Sequence, residues 1–115
     1  MTLEQLRKHC STLPHATEDV KWGNDLCFLI AEKMFCVASL DPHAGSRVSF
    51  KCTPEDFAEL IERDGIIPAP YMARNHWVSL EKWSALRDNE IKAAVGKSYD
   101  LVKARLPKKL QKVLA

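Results

Sequence analysis

The sequence predicts a two-layer α+β domain: an antiparallel sheet with helices packed on one face, in the order helix, three or four strands, helix, two strands, helix. Three observations predict it. Apolar residues recur at helical spacing near the N-terminus, again after Thr53, and once more from Ile91 to Leu106. Between the first two of these segments the spacing shortens to short alternating or apolar runs divided by turn residues, which is the pattern of strands. The strands are grouped and do not alternate one-for-one with helices, so the helices belong on an antiparallel sheet and not in parallel crossover units.

The first helix is expected over about Leu3 to Thr12. Thr2 and Gln5 have the spacing of a capping box, Leu3, Leu6, Cys10 and Leu13 form one apolar stripe, and Pro14 ends it. A first strand is expected over Thr17 to Trp22, stopped by Gly23-Asn24. Leu26 to Ala31 and Met34 to Leu40 read as a hairpin turning at Glu32-Lys33. That turn sets Phe28 opposite Val37 and Ile30 opposite Phe35 on the bulkier face, which is the face to pack against helices. Asp41 to Ser46 is a loop, and Arg47 to Cys52 alternates as another strand with Val48 and Phe50 on one face.

Thr53 then offers an N-cap, Pro54 fits the first helical position, and Glu55 and Asp56 complement the helix N-terminus. Phe57, Leu60 and Ile61 supply this second helix's apolar stripe, and Gly65 suits its C-terminal stop. The prolines at 68 and 70 push the residues before them out of the helical region, so Ile66 to Pro70 runs extended. Trp77 to Leu80 is the last strand. Trp83 and Leu86 lead to a third helix capped near Asp88, whose Ile91, Val95, Ser98, Tyr99, Val102 and Leu106 share one face while Lys92, Lys97 and Lys103 lie opposite. Pro107 breaks or bends it, and Leu110, Val113 and Leu114 allow a further short turn.

A chain of 115 residues is expected to fold as one domain, 1–115, with a core large enough to need no staples. An apolar fraction of 46% and a charged fraction of 28% are those of an ordinary globular protein. The longest apolar run, Leu26 to Ala31, is far short of the roughly 20 residues of a membrane helix, and the N-terminus lacks the pattern of a signal peptide. A cytoplasmic location, with no membrane partner, is the expectation. The four cysteines fit it: Cys10, Cys27, Cys36 and Cys52 form no CxxC and no zinc-like spacing with His9, His15, His43 or His76. Cys27 and Cys36 flank the expected hairpin, and a reducing compartment keeps them as thiols.

Charge is uneven. Residues 1–90 carry 10 Lys/Arg against 14 Asp/Glu, while residues 91–115 carry 7 Lys/Arg against Asp100 alone. The formal total of +2 therefore hides a basic C-terminal segment on an acidic body. That asymmetry points to an anionic partner, although basic residues near a helix C-terminus also serve the macrodipole and solubility.

Certain features taken in order resemble the MmcQ/YjbR family, small bacterial domains described as DNA-binding. They are Trp22-Gly23, the Lys51-Cys52 strand end with Pro54-Glu55, the Ile67-Pro68 pair, His76-Trp77, and Ser98-Tyr99-x-Leu101-Val102 with Leu106-Pro107. No single mark is specific, and it is their order and spacing over nearly the whole chain that carries the resemblance. It implies a fold like that of secretion chaperones, with a frataxin-like look, and a winged contact with duplex DNA. Relatives usually carry a glycine in the hairpin turn where this chain has Glu32-Lys33.

The residues that suit such a partner fall into two groups. Arg74, Asn75 and His76 enter a strand from a loop; Arg and Asn hydrogen-bond phosphates and base edges, and Trp77 beside them can stack. The plainer account is that Trp77 fills the core and His76 bonds backbone at a strand end. Lys97, Lys103, Arg105, Lys108 and Lys109 place successive cations on the third helix and tail, with Arg47 and Lys51 on the hairpins, beside Lys21 and Lys33, as flanking wings.

There is no helix-turn-helix, zinc-finger or RNA-binding aromatic signature, and a pI near 8.4 argues against tight sequence-specific binding. Catalysis is not expected: Cys52 with His76 is the only pair resembling a nucleophile and base, and no phosphate-loop or hydrolase motif is present. No cofactor or metal is expected. The acidic second helix (Glu55, Asp56, Glu59, Glu62, Asp64) reads as a solvated face with Glu59 paired to Arg63, ahead of weak cation binding by analogy with frataxin. The expected function is a monomeric, non-catalytic module binding double-stranded DNA through phosphates. The alternative is an adaptor, or chaperone-like domain, that holds a partner protein's peptide on an exposed sheet or groove.

Overall fold

The computed structural model describes residues 1–70 and 72–114; Tyr71 and Ala115, inside the 1–115 span, lie outside the described residues. The elements are α1 (Leu3–Cys10), β1 (Ala16–Lys21), β2 (Asp25–Ile30), β3 (Lys33–Ser39), β4 (Val48–Lys51), α2 (Pro54–Leu60), β5 (Ile66–Pro68), β6 (Trp77–Leu80), α3 (Asp88–Ala104) and α4 (Lys108–Leu114). This is the expected α+β order with a fourth helix added at the C-terminus. Pro107 does not merely bend α3. Its carbonyl accepts the N–H groups of Leu110 and Gln111 and so starts α4.

The strands form one six-stranded antiparallel sheet in the order β1-β2-β3-β4-β6-β5. Leu26, Phe28 and Ile30 of β2, Val48 and Phe50 of β4, and Val78 and Leu80 of β6 all point to one face. There they meet Leu6 and Cys10 of α1 and Ile91, Val95, Tyr99 and Val102 of α3, with Phe57 and Leu60 of α2 packed at the side. The helices therefore cover one face, and the face carrying Cys27, Val37, Ser49 and Ser79 has no helix on it.

Local chemistry explains most element ends. The Thr2 hydroxyl accepts from the Gln5 N–H at 3.2 Å while the Gln5 side chain accepts from the Thr2 N–H at 2.9 Å, a complete capping box. The α1 helix stops two residues before Thr12, because the hydroxyls of Ser11 and Thr12 fold back onto the carbonyls of Lys8 and His9. Thr53 caps α2 through the Asp56 N–H at 3.1 Å. Gly65 has φ 82, and a Cβ there would lie 3.2 Å from the Ala85 Cβ, so the stop requires glycine on both counts. The third helix is capped one residue earlier than expected, at Arg87, whose N–H donates to the Glu90 carboxylate at 3.0 Å.

The β2–β3 hairpin corrects the expected register. The turn is Ala31-Glu32, with φ of 48 and 68, which pairs Ile30 with Lys33 and Leu29 with Met34, and a one-residue register shift beyond them sets Phe28 opposite Cys36 and Cys27 opposite Val37. Two positive φ values match the right-handed twist of the flanking strands. A bulge between Phe28 and Leu29 then lets the consecutive residues Phe35 and Cys36 both enter the core, which strict alternation forbids. Cys27 and Cys36 consequently lie on opposite faces and are not neighbours across the hairpin. In the turn after α2, Arg63 reaches Glu90 of α3 at 2.8 Å rather than the expected Glu59. Among the described residues no helix is long and apolar enough to cross a membrane.

Candidate nucleic-acid interface

The sheet ends where three segments far apart in sequence converge. Lys51 is the last residue of β4 and pairs with Trp77, the first of β6. Ser98 of α3, fully buried, bridges the neighbouring strands: its hydroxyl donates to the Phe35 carbonyl at 2.6 Å and accepts from the Lys51 N–H at 2.9 Å. The β3–β4 ladder stops at Cys36–Phe50 because of the bulge, and the Ser98 hydroxyl fills the place of the missing ladder bond. It thereby fixes the backbone from which the Lys51 side chain leaves. The Lys51 Nζ donates to the Asn75 carbonyl at 3.2 Å, tying β4 to the 3₁₀ turn Ala73–Asn75.

Beside this end of the sheet is an open groove of about 460 Å³. Lys33, Lys51, Arg105 and Asn75 form its polar lining, and Met34, Trp77, Val102, Leu106 and Pro107 its apolar lining. Among the described residues no carboxylate lines it. Among the described residues, Lys33, Lys51 and Arg105 take part in no ion pair. Burial lowers the pKa of Lys51, and the charge of Arg105 lowers it further. Cations held near one another without a counter-charge are stabilised by an arriving anion.

The expected contact residues separate on this geometry. Lys51, Asn75 and Arg105 come together, with Lys33 as the addition from the hairpin. Arg74 is exposed on the same 3₁₀ turn as Asn75. His76 closes that turn with φ 62 and sets its ring edge-on to Phe57 at 5.6 Å, a packing role. Trp77 is 5% exposed and contributes only part of its surface to the groove.

Lys103 lies 5.9 Å from the Tyr99 ring centroid. Lys108 and Lys109 stand exposed in the first turn of α4. Lys97 is drawn elsewhere, to Asp56 at 3.3 Å, over a narrower cleft that also holds Glu59 and Glu90. Arg47 belongs to the other end of β4, about 13 Å away along the strand. Its guanidinium donates to the carbonyls of Asp41 and Ala44 at 2.9 and 2.7 Å and so pins the preceding loop.

The strands bearing Cys52 and His76 do adjoin: the Cys52 N–H donates to the His76 carbonyl at 2.8 Å. The thiol, however, is pushed up to about 12 by burial and by the nearby Asp56 charge, so it stays protonated at neutral pH. Cys36, buried against Cys10, is likewise raised by burial.

Sequence reasoning did not single out Met34 and Pro107 as groove residues or Ser98 as a bridge. A buried serine in an otherwise apolar helical stripe was the available signal, since a buried hydroxyl requires partners.

With this geometry in place, the comparisons with known proteins are informative. The YjbR family model matches residues 11–101. A crystal structure of the Deinococcus radiodurans protein DR2400, which contains a DUF419 domain, superposes with a TM-score of 0.87 at 24% identity, covering 98% of this chain and 87% of that one. A Pseudomonas syringae protein from a structural genomics programme superposes with a TM-score of 0.73 at 20% identity, covering 88% of this chain and 98% of that one. At these identities the two structures establish the shared fold. No functionally curated protein matches the chain.

Proposed function

We propose that this chain, which belongs to the YjbR family, is a non-catalytic DNA-binding module that holds phosphate groups through Lys33, Lys51 and Arg105 at one end of its sheet. The observation that carries the reading is the groove itself: three cations and Asn75 line it, and among the described residues no carboxylate does. Clustered cations of this kind bind the DNA backbone by displacing its counterions, without requiring a base-reading helix. Lys103, Lys108 and Lys109, close to Arg105 in sequence, add to the positive charge of that segment.

The test is fluorescence anisotropy of a labelled DNA titrated at about 50 and 200 mM salt. Binding that weakens with salt and is lost in the Lys51→Glu/Arg105→Glu double variant supports the reading. Absence of binding at the lower salt refutes it.

A second reading, an adaptor for a partner peptide, is favoured by one separate observation. Trp22 is 71% exposed and sits at φ 53, a backbone region costly for a bulky residue, beside a trough on the helix-free face that includes Val37, Ser49, Met72 and Ser79. Loss of a pulled-down partner on Trp22→Ala, with DNA affinity unchanged, distinguishes this surface from the cationic groove.

A further inference from the structure

We infer that the cationic groove seats an unpaired nucleotide, so that the DNA it takes is a single-stranded stretch or a strand end in preference to continuous duplex. The inference rests on the phosphate-binding reading above and adds the form of the ligand.

The argument starts from what lines the groove besides charge. Met34 is partly exposed and Pro107 exposed, and the largely buried Trp77 and Leu106 line the groove with them. A duplex offers a groove of this shape only phosphates and sugars on a convex ridge, with its bases stacked and paired away from it. The cations would be satisfied and the apolar floor would remain against water. An unpaired nucleotide satisfies both parts. Its phosphate meets Lys51 and Arg105, and its base covers Met34 and Pro107 with an apolar π-face.

Asn75 completes the match. Asn75 is exposed and lines the groove, and its backbone carbonyl accepts from the Lys51 ammonium, which sets the carboxamide-bearing residue beside that cation. A carboxamide supplies one acceptor and two donor hydrogens, the complement of a base edge freed from pairing. The volume, about 460 Å³, falls in the roughly 300–1,000 Å³ range of sites that enclose a small molecule. Among the described residues no carboxylate lines the groove, which disfavours a cationic ligand. The floor follows from the fold: Met34 is placed by the β2–β3 bulge, and Pro107 by the break between α3 and α4, so both stand where the strand ends meet the helix end.

The experiment compares labelled oligo-dT of about 12 nucleotides, the same strand annealed to oligo-dA, and inorganic phosphate as competitor, at about 50 mM salt. The single strand is expected to bind at least about tenfold more tightly than the duplex, with phosphate displacing it only weakly. Met34→Ala and Pro107→Ala are each expected to weaken the single strand several-fold while leaving the duplex unchanged. Two variants at separate elements guard against a folding defect in either.

Equal or tighter duplex binding that is still lost on Lys51→Glu/Arg105→Glu overturns this inference and leaves the phosphate-binding reading standing. Tight displacement by phosphate alone, or floor variants without effect on the single strand, also overturns it. No binding of either DNA overturns both readings.

Discussion

If the groove engages phosphates as proposed, their number can be read from salt dependence, and its three lining cations set the expected value. If Lys33, Lys51 and Arg105 each neutralise one phosphate, the slope of log affinity against log salt is about −2.7 on duplex and about −2.1 on a single strand. On duplex this is a loss of about 40-fold between about 50 and 200 mM. Arg105→Gln removes one cation and should bring the duplex slope to about −1.8, a loss of only about 12-fold over the same interval.

The alternative is a diffuse contact in which eight of the cations suggested by the sequence take part: Arg47, Lys51, Arg74, Lys97, Lys103, Arg105, Lys108 and Lys109. That contact would give a slope of about −7 and a loss of about four orders of magnitude. Arg47→Gln serves as the control, since its guanidinium is committed to the carbonyls of Asp41 and Ala44, and it should leave the slope unchanged. Anisotropy titrations at four or five salt concentrations measure all of these slopes. A steep wild-type slope, or a fall on Arg47→Gln as large as on Arg105→Gln, would refute the assignment of binding to the groove.

Three other consequences concern the frame that holds it. Ser98→Ala strips a partner from two buried backbone groups, the Phe35 carbonyl and the Lys51 N–H. At about 1–3 kcal/mol for each group left unpaired, urea denaturation should show a loss of about 2–6 kcal/mol, and a loss below about 0.5 kcal/mol would mean that the bridge is dispensable. Glu32→Gly relieves an exposed residue held at φ 68 in the hairpin turn and should stabilise the protein by about 1 kcal/mol in the same assay, whereas Glu32→Val should destabilise it.

The Glu90 carboxyl, held at about 2 by Arg63 and by the Arg87 N–H, lies below its ordinary 4.5. A folded value below the unfolded one means that the contribution is full above about pH 4.5 and disappears as pH falls through about 2. Glu90→Gln should therefore flatten the melting temperature against pH across that window. The effect should shrink with salt, because the pair is exposed at the surface.

The parts of this molecule that could be read from its sequence are those governed by neighbours in the chain. Capping at Thr2 and Thr53, the stop at Gly65 and the inward face of Phe28 and Ile30 all follow from local rules, and each is found in the structure. The hairpin register did not follow, because it turns on a contest between elements. Placing Phe35 and Cys36 together in the core outweighs strict alternation, and the bulge that permits it moves the turn by one residue.

The same distinction separates the cations that line the groove from those that do not. By residue type Arg47 and Lys97 were as good as Lys51 and Arg105. What divides them is where the fold turns each charge: Arg47 to the carbonyls of Asp41 and Ala44, Lys97 to Asp56, and Lys51 and Arg105 to the groove. No local pattern encodes that, since the claimant of Lys97 lies 41 positions away.

The groove is in this sense a product of the bulge. By ending the β3–β4 ladder early, the bulge leaves Lys51 N–H and Phe35 C=O to be closed by a side chain from α3. Closing them with Ser98 anchors the C-terminal half of α3 against the sheet end and brings Arg105 to Lys51. A regular hairpin would extend the ladder beyond Cys36–Phe50, and the strand would then occupy the space in which Met34 and Pro107 now form a floor. Deleting one residue from the bulged segment should therefore abolish DNA binding even where the protein still folds, a loss that no change of surface charge would repair.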